Sequence, residues 1–326
     1  MCSVANAPHP GNGGTDPEAP ALADGLADYL AAVRRPPEAA ASLEAARLIA
    51  DRDARKLAYP RPAGMVVSDS YVVSVGMEIP VRIYRPEGGG ARAAILYFHG
   101  GGFTIGSIES YDCLATALAE ATGASVISVH YARLPESTPR ATLAQCLEVL
   151  RWVRRMAGLL GIDPRRLAVA GDSAGAFLAT HLAMLARDGP ALACQILCYG
   201  VYDLDPAREA YSRARDPALA RPVIESIIAT YRSCEAKDGA ATDAPLRIPD
   251  LSGLPPTVLL GAEHDPMAQE GREYAAALRS AGVPVVERVA PGMCHGFLRA
   301  VRFSGPARDE MRWLATAFHQ QLRRQG

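Results

Sequence analysis

The stretch LAVAGDSAGAFLATHLAML, residues 167–185, decides the fold of this chain. It begins with a short apolar run typical of a buried strand and ends with a pattern typical of a helix. Between the two lies the pentapeptide GDSAG, residues 171–175, which matches GxSxG. The pentapeptide alone is a weak signal, but between a strand and a helix it predicts a nucleophile elbow that presents the hydroxyl of Ser173.

The two glycines that flank this serine fit such an elbow. The turn is strained, and a Cβ at Gly171 or Gly175 would collide with the neighbouring backbone. An ordinary strand-to-helix turn, with Ser173 capping the helix, is the alternative that the pentapeptide by itself leaves open.

Strand and helix patterns alternate on both sides of this stretch. Short apolar or β-branched segments predict strands at 65–75, 79–86, 93–98, 124–131, 167–171, 193–200, 256–264 and 283–290. Helical patterns cover 109–122, 139–155, 173–187, 268–281 and 307–323. The alternation predicts an α/β fold with a mainly parallel sheet covered on both faces. No helix separates the first two strands, so we expect an antiparallel edge there.

Two regions depart from the alternation. Residues 22–58 predict helices that are interrupted at Pro36 and Pro37. Residues 203–252 form a polar, proline-marked insertion between two core strands, and an insertion of that length predicts a lid.

Composition excludes several classes of protein. The 326 residues are 49% hydrophobic and carry a formal net charge of −1, which gives no electrostatic support for a nucleic-acid partner. Seven cysteines without a CxxC pair favour reduced thiols and a cytoplasmic location. Residues 1–20 lack the regions of a signal peptide and predict a disordered leader. No apolar run approaches the ~18 residues of a membrane span.

A glycine loop follows the third strand, in YFHGGGFTIGS at 97–107. Consecutive glycines allow backbone N–H groups to point into a cavity, so Gly101 and Gly102, with Ala174, are the predicted donors of an oxyanion hole. A flexible or phosphate-binding loop is the alternative, although neither phosphate-loop pattern fits. We expect His99 to hold the loop in place and not to act as a base.

The loop PGMCHGFL, residues 291–298, follows the last strand and offers a candidate base. His295 lies between Gly292 and Gly296, as a histidine at the tip of an exposed loop would. The adjacent Cys294 raises the alternative of a metal site. No other cysteine or histidine has ligand spacing to it, so we expect no metal.

The segment LLGAEHDPMAQEG, residues 259–271, offers more than one acid. Asp265 comes directly after a strand, at the carboxyl edge where open α/β sheets place their sites. Glu263 is the alternative acid, and we expect His264 to point away. Glu270 lies in the first turn of the next helix, where it meets the helix dipole favourably and can brace the loop.

The chain order Ser173, Asp265, His295 is the order expected for a serine hydrolase of this architecture. The serine is a weak nucleophile until a base removes its proton. A histidine titrates near neutral pH and can take that proton and return it. The aspartate fixes the imidazole tautomer and stabilises the imidazolium.

These motifs together resemble the hormone-sensitive-lipase-like carboxylesterases of the α/β-hydrolase superfamily. The resemblance runs from about residue 65 to the end and is carried by HGGGF, HYARLPESTPRATLAQCLEVLRWV, GIDPRRLAVAGDSAG, LSGLPPTVLLGAEHDPMAQEG and GVPVVERVAPGMCHGF. It implies an eight-stranded sheet and ester hydrolysis through an acyl-enzyme, without a cofactor. It also implies cap helices at 21–60 and a catalytic domain at 61–326 with a cap insertion at about 203–250.

The family pattern assigns Ser173, Asp265 and His295 to the triad, and the HGGGF glycines with Ala174 to the oxyanion hole. We further expect Gly100 and Asp172 to support the site. Three departures are visible. YARLPE replaces the common YRLAPE and affects how that segment braces the glycine loop. Residues 268–269 are Ala-Gln where the family often has Arg-Asp, and Ala176 replaces a common glycine.

The leading hypothesis is a serine carboxylesterase acting on small, fairly apolar esters. An amidase or deacetylase of an acylated metabolite would use the same triad, and a non-catalytic binding protein on this scaffold is a third possibility. A homodimer through the last strand and helix is conceivable without a specific signal. Apolar residues that could line an acyl pocket, or equally form the core of the lid, are Leu26, Tyr29, Leu30, Tyr211, Ile227, Ile228 and Tyr231.

Overall fold

The computed structural model describes residues 20–34, 41–74, 76–88, 90–213, 215–239 and 241–324. The predicted leader at 1–20 and the predicted break at Pro36 and Pro37 lie outside these residues, apart from residue 20 itself. Each of the eight predicted strands is present. Their bounds are β1 Val66–Ser74, β2 Met77–Arg85, β3 Arg92–Phe98, β4 Ser125–Val129, β5 Ile162–Asp172, β6 Gln195–Cys198, β7 Thr257–Ala262 and β8 Val285–Ala290.

The strands form one sheet in the order β1-β2-β4-β3-β5-β6-β7-β8. β2 pairs antiparallel with both β1 and β4, and every other neighbouring pair is parallel. The antiparallel edge and the mainly parallel remainder are both confirmed. Parallel order sends the carboxyl ends of β5, β7 and β8 to the same edge of the sheet, where a site can form.

Helices cover the sheet and follow the predicted segments. Their bounds are α1 Leu26–Val33, α2 Leu43–Leu57, α3 Asp112–Thr122, α4 Pro139–Arg155, α5 Ala157–Leu160, α6 Ala174–Leu185, α7 Glu209–Arg213, α8 Arg221–Glu235, α9 Ala268–Ser280 and α10 Gly305–Arg323. α4 has the predicted bounds because Thr138 caps it, accepting from Ala141 N at 3.3 Å, and Pro139 occupies its first position.

Two apolar layers enclose the sheet, one on each face. Leu96, Phe98 and Val169 belong to the layer that includes α4 and α6, while their neighbours in the strands belong to the layer that includes α3 and α10. All residues of β4, β6 and β7 are buried. Burial on both faces explains why these strands read as continuous apolar runs and do not alternate.

The insertion after β6 carries α7 and α8. Its two ends meet where Leu246 N donates to Tyr202 O at 2.9 Å. α8 buries Ile224, Ile228 and Tyr231 against the layer that contains α4 and α6. Among the described residues, no helix has both the length and the apolar character needed to cross a bilayer.

Candidate active site

Ser173 occupies the sharp turn between β5 and α6. Its backbone has φ 52° and ψ −122°, in a region that residues other than glycine rarely adopt. A Cβ at Gly171 would lie 2.1 Å from Gly175 O, and a Cβ at Gly175 would lie 2.0 Å from Phe98 O. The flanking glycines therefore let β3, β5 and α6 approach closely enough to form the turn.

Three side chains from distant loops meet at this turn. His295 Nε2 lies 2.8 Å from Ser173 Oγ, and His295 Nδ1 lies 2.7 Å from Asp265 Oδ2. Because an ionised carboxylate only accepts, Nδ1 donates to Asp265 and Nε2 is left to accept the proton of the serine hydroxyl. Asp265 Oδ1 in turn accepts from Met267 N at 2.8 Å, which orients the carboxylate.

Glu263 and His264, which lie next to Asp265 in the sequence, have hydrogen-bond partners outside the triad. Glu263 Oε2 accepts from Gly292 N at 2.7 Å, and His264 Nε2 contacts Ala21 O at 3.0 Å. His264 N also donates to Met293 O at 3.0 Å. Glu263 and His264 therefore support the loop that carries His295 without contacting its imidazole.

The electrostatic surroundings of His295 favour its protonated form. Burial lowers the pKa of this histidine, but the charge and hydrogen bond of Asp265 and the charges of Asp216 and Asp172 raise it, and the net shift is upward. An imidazole with a raised pKa is a stronger base toward the serine proton.

The glycine loop lies against the elbow. Gly101 has φ 110° and Gly102 has φ 58°, and a Cβ at Gly101 would lie 2.3 Å from Ile105 O. Among the described residues, neither glycine uses its backbone N–H in a protein hydrogen bond. Ala174 N–H is in the first turn of α6, where helical N–H groups have no partner within the helix. All three groups are available as donors.

Asp172 holds the first glycine of this loop. Its Oδ1 accepts from Tyr97 Oη–H at 2.7 Å and from Gly100 N at 2.9 Å. Burial raises the pKa of Asp172 to about 6, against the effect of these donors. Gly100 leaves no room for a side chain, because a Cβ there would lie 2.7 Å from Asp172 Oδ2.

His99 is fully buried under the loop. Its Nδ1 lies 2.8 Å from Gly100 O, and its ring stacks on Tyr131 at 4.3 Å between centroids. Burial lowers its pKa to about 3, so the imidazole is neutral. The structure places His99 among the groups that hold the loop, and the histidine within hydrogen-bond distance of the serine hydroxyl is His295.

The sequence matches a known family over the region that contains all of these groups. The family model described as the α/β-hydrolase fold matches residues 95–299. The chain belongs to the α/β-hydrolase fold family. The resemblance indicated by the sequence motifs is thereby confirmed.

Relatives of this α/β-hydrolase include enzymes named for ester hydrolysis. The carboxylesterase NlhH of Mycobacterium tuberculosis is 39% identical over 229 residues, which cover 68% of this chain and 72% of the relative. The ethyl acetate hydrolase of Pseudomonas putida is 36% identical over 254 residues, which cover 76% of this chain and 80% of the relative. A solved esterase from Pyrobaculum calidifontis superimposes with a TM-score of 0.80 at 29% identity, covering 90% of this chain and 97% of that one.

The YARLPE segment of this α/β-hydrolase braces the glycine loop in spite of its altered order. Arg133 Nη1 donates to Gly106 O at 2.6 Å, and Leu134 N donates to Phe103 O at 2.9 Å. Tyr131 Oη–H donates to His99 O at 2.7 Å. The departure from the common motif therefore leaves the segment in contact with the loop.

Glu270 is fully buried behind the start of the insertion. Its Oε2 accepts from Tyr202 N at 2.8 Å and from Asp203 N at 2.5 Å, and its Oε1 accepts from Tyr211 Oη–H at 3.0 Å. Burial raises its pKa to about 8. Glu270 thus braces the chain where it leaves β6, and its contacts do not include the serine or the histidine.

The hypothesis of a metal at Cys294 receives no support from the surroundings of that residue. Cys294 is fully buried, and burial raises the pKa of its thiol to about 12. Within the part of the chain that the structure describes, no cluster of three or more histidine, cysteine, aspartate or glutamate side chains could hold a metal ion.

One residue at the site has no counterpart among the sequence candidates. Asp216, in the insertion, accepts from His295 N at 2.6 Å through its Oδ2. The local signal is an aspartate before Pro217, which predicts a turn. That signal carries no information about a contact with a residue 79 positions away.

Proposed function

We propose that this α/β-hydrolase is a serine carboxylesterase in which Ser173, His295 and Asp265 form the triad. The observation that carries the proposal is the continuous hydrogen-bond relay from Ser173 Oγ through His295 to Asp265, with contacts of 2.8 and 2.7 Å. The names of two relatives, a carboxylesterase and an ethyl acetate hydrolase, support the same activity.

In the proposed acylation step, His295 Nε2 takes the proton of Ser173 as Oγ bonds to the ester carbonyl carbon. The carbonyl oxygen takes the displaced electron pair, and the N–H groups of Gly101, Gly102 and Ala174 stabilise that charge. When the tetrahedral intermediate collapses, the C–O bond to the alcohol breaks and His295 protonates the leaving oxygen.

Deacylation repeats these steps with water as the nucleophile. Water loses a proton to His295 and attacks the carbonyl carbon of the acyl-enzyme. The carboxylic acid then leaves as the proton returns to Ser173 Oγ. Asp265 stabilises the imidazolium that forms in each half of the cycle, so the reaction consumes only ester and water.

Small, fairly apolar esters are the substrates that the surroundings of the site support. The side chain of Ile227 on α8 lies directly over Gly102, since a Cβ on that glycine would lie 2.6 Å from Ile227 Cδ1. Beside it, the ring of Phe103 lies 5.3 Å from Phe177 and 4.9 Å from Tyr231, between centroids. Apolar side chains this close to the oxyanion loop favour short acyl groups.

Hydrolysis of p-nitrophenyl acetate and butyrate tests the proposal. We expect Ser173→Ala to lower kcat/KM by at least about 1,000-fold, because triad members act as a unit. A fluorophosphonate should label the wild type and not this variant. Ser252→Ala, at an exposed serine, is the matched control and should retain full activity. Undiminished hydrolysis by Ser173→Ala would contradict the proposal.

The bond that is cleaved needs a separate comparison, because an oxyanion hole serves any acyl transfer. Ethyl acetate and N-ethylacetamide form a matched ester and amide pair. We expect hydrolysis of the ester and little of the amide. The reverse preference would favour an amidase over a carboxylesterase.

We also propose a division of the chain into a catalytic domain at 61–326, with a cap insertion at about 203–250, and N-terminal cap helices at 21–60. The position of α8 over the glycine loop supports a cap role for the insertion.

A cytoplasmic location and a homodimer stay predictions. β8 lies at the edge of the sheet, and sedimentation velocity would show whether two copies associate.

A further inference from the structure

Asp216 connects the cap insertion to the loop that carries His295. Its Oδ2 accepts from His295 N at 2.6 Å, and its Oδ1 accepts from Ala218 N at 2.6 Å and Leu219 N at 3.0 Å. The residue is 8% exposed. One carboxylate therefore closes a turn within the cap and binds the backbone of the histidine.

The backbone that Asp216 binds lies in a loop shaped by left-handed glycines. Gly292 has φ 66° and Gly296 has φ 75°. Glu263 holds Gly292 N on one side, and Tyr29 Oη–H donates to Gly296 O at 3.3 Å on the other. The hydrogen bond to Asp216 is donated by the backbone N–H of the histidine itself, and a hydrogen bond to an ionised acceptor is stronger than one to a neutral acceptor.

We propose that Asp216 is a positioning residue for the hydrolysis, which joins the closed cap to the backbone of His295 and adds a second negative charge beside the imidazole. The inference rests on the proposed function, in which His295 is the base. The hydrogen bond keeps Nε2 within reach of Ser173 Oγ. The charge stabilises the imidazolium that forms in both half-reactions.

The titratable groups that face His295 include the carboxylates of Asp265, Asp216 and Asp172 and the phenol of Tyr199, whose ring centroid lies 5.2 Å from that of the imidazole. The thiol of Cys294 precedes His295 in the chain. Burial and the nearby Asp265 raise the pKa of Asp216 to about 6, while His295 acts in the opposite direction. The backbone N–H groups of His295 and Ala218 also lower the pKa of Asp216, so they favour its ionised form.

The chain contains a matched control for this residue. Asp205-Pro206-Ala207 repeats the tripeptide at 216–218, and Asp205 Oδ1 accepts from Ala207 N at 2.9 Å in the same kind of turn. Asp205 is in the same insertion, but its carboxylate accepts from Ala207 N, whereas the donor to Asp216 is His295 N. Asp205→Asn therefore reproduces the local effect of the substitution without the effect on the histidine.

The test compares Asp216→Asn, Asp216→Ala and Asp205→Asn in p-nitrophenyl acetate hydrolysis. We expect Asp216→Ala to lower kcat by about tenfold with less change in KM, the size of effect of losing a charge-assisted hydrogen bond. We expect Asp216→Asn to move the acidic limb of the kcat/KM profile to lower pH, because one charge that favours the imidazolium is gone. Asp205→Asn should match the wild type.

A structural role alone would leave the pH profile in place. An acidic limb that is the same in Asp216→Asn, Asp205→Asn and wild type would overturn the inference. If circular dichroism shows that Asp216→Asn does not fold, Asp216→Glu replaces it, because this variant retains the negative charge. We expect Asp216→Glu to keep the acidic limb of the wild type with a lower kcat. A displaced acidic limb in Asp216→Glu would contradict the inference. Failure of a fluorophosphonate to label Ser173 in the wild type would overturn the proposed function instead.

Discussion

Ser173 lies at φ 52°, a conformation that costs on the order of 1–3 kcal/mol for a residue other than glycine. The rest of the elbow maintains this strain: Ser173 N donates to Cys198 O at 2.9 Å, and Ser173 O accepts from Ala176 N at 3.0 Å. A relaxed backbone would turn the hydroxyl away from His295. The strain is therefore part of what keeps the two side chains 2.8 Å apart.

The state of His295 predicts how activity depends on pH. The proposed base must be neutral, so activity is lost as pH falls through its pKa and regained as pH rises. Because the net shift of that pKa is upward, we expect the midpoint of the kcat/KM profile above the ~6.5 of a free histidine. Initial rates from pH 5 to 9 measure it, and a flat profile would contradict His295 as the base.

The identity of the acid can be tested with two isosteric changes. Asp265→Asn leaves one oxygen for two donors, Met267 N and His295 Nδ1–H. With that oxygen on Met267 N, the amide NH2 faces Nδ1 and favours the wrong tautomer, so we expect a fall in kcat of about 1,000-fold or more. Glu263→Gln keeps an oxygen that can accept from Gly292 N and should have an effect below about tenfold. The opposite ranking of the two variants would identify Glu263, and not Asp265, as the acid of the triad.

At the scale of elements, α8 determines how much room lies above the oxyanion loop. Its buried side is held by Ile224, Ile228 and Tyr231, while Ile227 reaches over Gly102. The helix is amphipathic, with Pro222 in its first turn, and it packs on the layer that contains α4 and α6. Its position, and not the glycine loop alone, shapes the acyl side of the site.

Shortening that side chain should change chain-length preference. We expect Ile227→Ala to raise the ratio of kcat/KM for p-nitrophenyl hexanoate to that for the acetate by several-fold, because the space over Gly102 widens. Val223→Ala, at a 39% exposed position on the same helix, is the control and should leave the ratio unchanged. An equal ratio in both variants would show that Ile227 does not limit the acyl chain.

At the scale of the whole molecule, an arginine on α2 joins the N-terminal helices to the glycine loop. Arg47 on α2 donates through Nε to Thr104 O at 2.8 Å and through Nη2 to Leu134 O at 2.9 Å. Nη1 and Nη2 also reach the two carboxylate oxygens of Glu136, each at 2.8 Å. Three segments of the chain that are distant in sequence are thereby held at one guanidinium group.

Removing this guanidinium should affect catalysis more than folding. We expect Arg47→Ala to lower kcat several-fold with a small change in Tm, because the glycine loop loses a brace while the apolar layers remain intact. Arg52→Ala, whose exposed side chain pairs with Asp53 on the same helix, should behave as wild type. Equal kinetics for the two variants would mean that Arg47 does not support the loop.

Local patterns were sufficient to predict the sheet and the elbow. The strands predicted at 93–98, 193–200 and 256–264 are buried on both faces and therefore appear as apolar runs in the sequence. The GDSAG turn is recognisable because only glycines fit at positions 171 and 175, two residues to either side of Ser173. Asp265 could be preferred over Glu263 because it directly follows the strand predicted at 256–264, whose carboxyl end faces the site; in the structure β7 ends earlier, at Ala262.

The sequence by itself therefore determined the α/β architecture, the antiparallel edge and the candidates Ser173, Asp265 and His295, since each follows from periodicity or from backbone geometry within a few residues. Only the tertiary structure decided which cap side chains approach the site. Asp216 reaches His295 N, Arg47 reaches the glycine loop, and Ile227 covers Gly102. These contacts join segments whose relative placement depends on how helices pack, and no local pattern of residues encodes that packing.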